Sequence, residues 1–233
     1  MTDAKIYVTK LAAAQRQLDA AIRMYFINEE KLAIHTIAAA SYRILTDLYR
    51  KRHGSFIDAV VHYSIFAMIR DVWSGKMSLN NLPVPEVREF VESVVKDLGA
   101  EEPTVDQFAV RLGKRAEIES LRKYSEATNF LKHADRDPSQ FIDEESVCIE
   151  ELLHEAVGVY NFLGAFPTFE MTVLLAYLNK IPKYKTVKPD NEKSILGIAA
   201  SRLDELSEDK QKEGAAAMLK LNDRYFPRGL TLE

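Results

Sequence analysis

With 233 residues, 47% of them hydrophobic, the chain can bury one large core, or a core with a small appendage, and is too apolar for a disordered segment. Its 31 Lys and Arg against 35 Asp and Glu give a formal net charge of -4. That excludes the overall basic surplus of a protein that holds nucleic acid mainly through phosphates, so any such contact needs a local patch. A single cysteine, Cys148, rules out an internal disulfide and a cysteine-based zinc site.

Apolar residues recur at three- and four-residue spacing through long stretches, with the sparse Gly and Pro between them, which predicts an all-α fold: a multi-helix up-and-down bundle. The first helix is predicted from Asp3 to Ile27, with Leu11, Ala14, Leu18, Ala21, Ile22 and Tyr25 on the apolar stripe and Arg16, Asp19 and Arg23 outside it. Asn28 is expected to cap a second helix, Glu29 to His53, because its side-chain oxygen can accept from an orphan N–H. Basic residues before Gly54 end that helix. Ser55 is expected to cap a third, Phe56 to Ser74, so apolar that it is the candidate central, most buried helix.

After a loop over 75–85, a helix is predicted from Pro85, well tolerated in a first turn, to Leu98. Thr104 would cap a short helix to Leu112, and a long helix would run from Arg115 to His133. Pro138 then discourages helix at Asp137. Further helices are expected over Glu144–Leu163 and Thr168–Lys180. The predicted organisation is a helical bundle over 1–181, a basic linker over 182–191 and a C-terminal helical hairpin appendage over 192–233. Residues 1–19 carry scattered charge with no uninterrupted apolar core, and no run approaches the roughly 18 apolar residues of a membrane span. The expectation is a cytoplasmic protein with no membrane partner.

The chemistry-bearing candidate is TNFLKHADRDP, residues 128–138. Asn129 and His133 are four apart and share a helix face, with Lys132 beside them and Asp135, Arg136 and Asp137 in the break that follows. Titratable groups at a helix end can hold a phosphate, act as acid and base, or bind a metal; the same residues can also form a polar helix-stop network. His35, Ala39 and Tyr42 lie along one face of the second helix, as a packed seam or as a wall facing His133 across a cleft. Glu151 and His154 have the Glu-x-x-His spacing of metal-binding bundles, but a dinuclear site needs two such motifs and only one is present, so an exposed pair on a solvated face is the simpler expectation. Tyr49 to Gly54, YRKRHG, is a basic cluster that could touch phosphate, or a helix stop. Cys148 is expected to pack rather than react. Gly-rich phosphate loops, GxSxG, HExxH and EF-hand patterns are absent from the sequence.

TNFLKHADRD, together with KLAAAQRQLDAAIRMYFINEEKLAIHTIAAASYRIL, resembles a group of bacterial helical proteins with no firm activity, in which an Ala-rich helix pair carries an "IHT-AAA-Y" stretch and a later helix ends in "NF-KHADRD". The resemblance spans roughly residues 8–180. The segment is also distantly similar to the HEPN superfamily of small helical bundles, whose signature is Arg, four to six residues, then His, often with a polar residue just after the Arg. Asn129 and His133 fit the polar residue and the His; Glu126, Ala127 and Thr128 stand where the Arg would be. The resemblance implies a dimer acting on RNA without metal or cofactor. The missing Arg implies a degenerate or altered ribonuclease or RNA-binding module in stress or defence, with Lys132 or Arg136 as replacement cation. Catalytic candidates are then His133, Asn129 and Lys132, and binding candidates Asp135, Arg136, Asp137, His35 and Tyr42. A non-catalytic bundle that binds a protein partner, and a metal-binding bundle using His133, Asp135 and Asp137 or Glu151 and His154, stand as alternatives.

Overall fold

The computed structural model describes residues 7–82, 84–108, 110, 126–131, 139, 141–181 and 195–225. Among them every regular element is helical and no strand occurs, as the periodicity predicts. The α-helices are α1 (Lys10–Phe26), α2 (Lys31–His53), α3 (Phe56–Trp73), α4 (Pro85–Leu98), α5 (described over 126–131), α6 (Ile149–Phe162), α7 (Phe169–Leu178), α8 (Ile195–Asp204) and α9 (Glu208–Tyr225). None of the described helices is long and apolar enough to cross a membrane.

Local chemistry sets the boundaries. α1 starts seven residues later than expected, because the Thr9 hydroxyl accepts from the Ala12 N–H at 3.1 Å. Asn28 does not open α2. It lies in the left-handed region, φ 55°, and closes α1, with the Glu29 N–H donating to the Met24 carbonyl at 3.0 Å. Glu30 takes over the capping, its carboxylate accepting from the Ala33 N–H at 2.8 Å. α2 stops at Gly54, φ 90°, as the basic-run-then-glycine pattern predicts. Ser55 caps α3 through the Asp58 N–H at 3.3 Å. α4 has the predicted limits, with Pro85 in its first turn. The expected helix over 144–163 is broken: a 3₁₀ turn, Glu144–Ser146, gives way to extended backbone at Val147 and Cys148 before α6 begins. The short helix predicted from Thr104 is a single 3₁₀ turn, Val105–Gln107, with the Gln107 side-chain oxygen accepting from the Thr104 N–H at 2.7 Å, and Phe108 is extended.

The chain forms two compact units, Met1–Arg52 with Tyr124–Glu233, and His53–Lys123. In the first, α7 is the helix others pack on: α1, α6, α8 and α9 all lie against it. Met171, Thr172, Val173, Leu174, Ala176 and Leu178 of its ten residues are buried, and none is exposed. α1 lies against α6, α7 and α9, burying Ala14, Leu18, Ala21 and Ile22 completely. α2 meets α1 closely enough for the Ser41 hydroxyl to donate to the Ala14 carbonyl at 2.8 Å, which the small Ala38 and Ala39 allow. The division differs from the predicted one. α8 and α9 pack on α7 and on each other, Ala199, Ala200, Leu203, Ala215 and Leu219 are buried, and Lys180 pairs with Asp204. The hairpin belongs to the same compact unit as α1 and α7 because its alanine-rich faces are core surface. The linker residues 182–191 lie outside the described residues.

In the second unit α3 packs on α4 around Ile69, Leu82 and Val91. The Trp73 indole donates to the Gly99 carbonyl at 3.2 Å, and Arg88 to the Leu82 carbonyl at 2.9 Å. α3 is not the most buried helix: only Phe56 and Ile69 are buried, while Val60 and Tyr63 are exposed. Hydropathy measures what a helix could bury; its neighbours decide what it does bury.

Leu18 lies where α1 meets the core of the first unit and has no exposed surface. Leu18→Ala is expected to lower unfolding free energy by about 2–5 kcal/mol in urea titration. Leu221→Ala, at a side chain 52% exposed, is expected to change it by less than about 0.5 kcal/mol.

Candidate functional site

Of the sequence-nominated residues, Lys132, His133, Asp135, Arg136 and Asp137 lie outside the described residues, whereas Asn129, His35 and Tyr42 lie within them. α5 buries Ala127 and leaves Glu126 and Asn129 exposed, so the described turn carries its polar positions outward. An exposed carboxylate, Glu126, stands among the positions where the HEPN signature would place a cation.

His35 and Tyr42 do not line an open wall. Both are buried in α2. The Tyr42 hydroxyl donates to the Glu155 carboxylate of α6 at 3.2 Å, and burial, with Glu155 beside it, drives the phenol pKa far above its usual range. It is a fixed donor between two helices and not a base. His35 is 2% exposed, its Nδ1 has no hydrogen-bond partner among the described residues, and burial lowers its pKa, which keeps the imidazole neutral. On the same helix Tyr49 packs edge-on against Phe162 of α6, ring centroids 6.2 Å apart. The seam reading of this face therefore describes the structure.

Glu151 and His154 are half-buried on α6 and not on a solvated face. Burial pulls the His154 pKa down and the Glu151 carboxylate opposes it. Among the described residues no group of three or more His, Cys, Asp or Glu side chains is placed to hold a metal ion. Cys148, expected to pack, is exposed, because the chain is extended there and α6 begins only at Ile149. The basic end of α2 is open to solvent: Arg50, Lys51 and Arg52 are all exposed, with Arg50 3.3 Å from Asp47.

Two polar groups escape sequence reasoning. Asp19 of α1, placed outside the apolar stripe by its residue type, is buried and accepts from the Thr168 hydroxyl at 2.6 Å. One turn on, Arg23 pairs with Glu170. Burial, with Glu170 nearby, pushes the Asp19 carboxyl up to about 6, against the lowering effect of Thr168, Arg23 and Gln15. The Tyr160 hydroxyl of α6 donates to the Gln15 side chain at 3.2 Å. The second group joins α9 to the bundle. Tyr25 donates to Glu150 at 2.8 Å, and the Lys212 ammonium sits 4.0 Å from the centre of the Tyr25 ring, a cation–π contact. Burial lowers the Lys212 pKa and Glu150 opposes that. The available signal for the first group was a pair of i,i+4 charges, Asp19 and Arg23, facing a Thr-x-Glu helix start at Thr168 and Glu170.

No family model, curated protein or solved structure matches the chain.

A neutral buried His35 makes a signed pH prediction. Its folded pKa lies below its unfolded value of about 6.5, so its contribution to stability is present above that pH and is lost as pH falls through it. His35→Leu, which removes a buried nitrogen with no partner among the described residues, should stay within about 1 kcal/mol of wild type at pH 7 and lose less stability than wild type on going to pH 5, both read by urea unfolding.

Proposed function

We propose that the chain is a HEPN-like helical module that acts as a homodimer and engages RNA as a degenerate or altered nuclease, through Asn129, Lys132, His133, Asp135, Arg136 and Asp137. The observation that carries the reading is the exposed basic end of α2. Arg50, Lys51 and Arg52 stand in solvent on a chain whose net charge is negative, and that is the local patch phosphate contact needs. Asn129 of the motif is itself exposed on α5. His35 and Tyr42 drop out of the site, since a buried neutral imidazole and a phenol bound to Glu155 are closed to a substrate. The missing signature Arg favours binding over efficient cleavage, because a phosphodiester reaction depends on a cation at the developing charge.

A protein-binding role is the second reading, favoured by Phe141 and Phe166, which are 92% and 91% exposed. One set of assays separates the two. Wild type should retain single-stranded RNA with an affinity that falls as salt rises. Lys51→Glu with Arg52→Glu should weaken retention about tenfold or more, and His133→Ala should abolish cleavage or weaken binding while circular dichroism stays unchanged. If wild type retains no RNA and His133→Ala only lowers the thermal midpoint, the protein-binding reading replaces this one. A monomer in sedimentation analysis would remove the dimer.

A further inference from the structure

We propose that Asp19 is a proton-operated link between α1 and the N-terminus of α7: proton uptake by its buried carboxyl stabilises the seam on which the first unit is assembled. Two parallel links cross that seam, Asp19 to Thr168 and, one turn along α1, Arg23 to Glu170. Thr168 is the working part. Its hydroxyl donates to Asp19 at 2.6 Å and at the same time accepts from the Met171 N–H at 3.2 Å as the α7 N-cap, while its carbonyl accepts from the Thr172 hydroxyl at 2.8 Å. The charge state of Asp19 therefore acts directly on the first turn of α7.

The groups around Asp19 set the direction. From α1 these are Gln15 and Arg23; from α7, Glu170, with Thr168 capping it; from α6, the phenol of Tyr160, which is held on Gln15. The titratable side chain that α9 brings to α1, Lys212, is engaged further along at Tyr25 and Glu150. Asp19 thus stands near a second carboxylate, Glu170, which itself holds the Arg23 guanidinium, in a place mostly closed to water. A proton on Asp19 weakens the Thr168 donation and the attraction to Arg23, but it removes the larger cost of burying the charge and the repulsion from Glu170.

The sign is opposite to that of an ordinary ion-paired aspartate. The folded pKa of Asp19, about 6, lies above its unfolded value, so the folded state holds the proton more tightly. The contribution to stability is full below the unfolded pKa and is lost as pH rises through about 6. His35 and His154 act in the other direction over the same range, so wild type has to be compared with a variant that retains both.

Asp19→Asn keeps an acceptor oxygen for Thr168 and removes the titration. On the full chain, the ratio of the wild-type to the Asp19→Asn folding constant should rise about tenfold from pH 8 to pH 5 in urea titrations. Hydrogen-exchange protection of the Met171 amide should rise at the lower pH in wild type and not in the variant. A ratio equal at both pH values overturns the proposal. Should Asp19→Asn fail to fold, carbon NMR of the wild-type Asp19 carboxyl decides. A midpoint near 6 supports the link, and a midpoint near the ordinary aspartate value of 3.8 ends it.

Discussion

The ten residues of α7 have to be enclosed by protein. Apart from Glu170 and Thr172, Phe169–Leu178 is apolar with no polar face, and leaving it in water would cost on the order of 1.5–3 kcal/mol for each large apolar side chain. A helix with one apolar stripe needs one partner, whereas α7 needs several, and it has them in α1, α6, α8 and α9. This requirement explains why α8 and α9, whose sequence is rich in charge and alanine, belong to the core: their buried alanines and leucines close the side of α7 that α1 and α6 leave open. It also explains why the polar links concentrate around this helix. Thr168 at its N-terminus is tied to Asp19, Glu170 in its first turn is tied to Arg23, and Lys180 just beyond its end is tied to Asp204.

Buried polar groups near an apolar hub are constrained to be partnered or neutral. Tyr42 meets this by donating to Glu155, and Ser41 by reaching the Ala14 carbonyl. His35 meets it by staying neutral, and Asp19 by a raised pKa. These groups fix the register of α1, α2, α6 and α7, and so they are poor places for a ligand. Charge open to solvent lies elsewhere, on Arg50, Lys51 and Arg52 at the end of α2 and on the Glu126 carboxylate of α5.

Much of this was legible in the sequence where the signal is local. Gly54 as a stop, Ser55 as a cap and Pro85 to Leu98 as a helix depend on chemistry within a turn or two, and they hold. The apolar stripe of α1 holds for the same reason. What escaped depends on distant partners. Length and apolar content together single out α3 as the central helix, yet α7, shorter and more apolar, is the one surrounded. Asp19 reads as a surface charge until α7 brings Thr168 to it, and Asn28 reads as a cap until its left-handed backbone shows that it ends the preceding helix. The His35–Tyr42 face was legible as a shared face; that it closes on α6 through Glu155 was not. The motif from Lys132 to Asp137 is the clearest polar signal in the sequence.

The account depends most on α7 binding the C-terminal helices into one cooperative core. Native-state hydrogen exchange measured across α7, α8 and α9 tests this directly. The amides of α8 and α9 are expected to open with free energies close to those of Val173–Leu178, because losing them would expose α7. If α8 and α9 exchange through a separate opening several kcal/mol below that of α7, the hub account is contradicted.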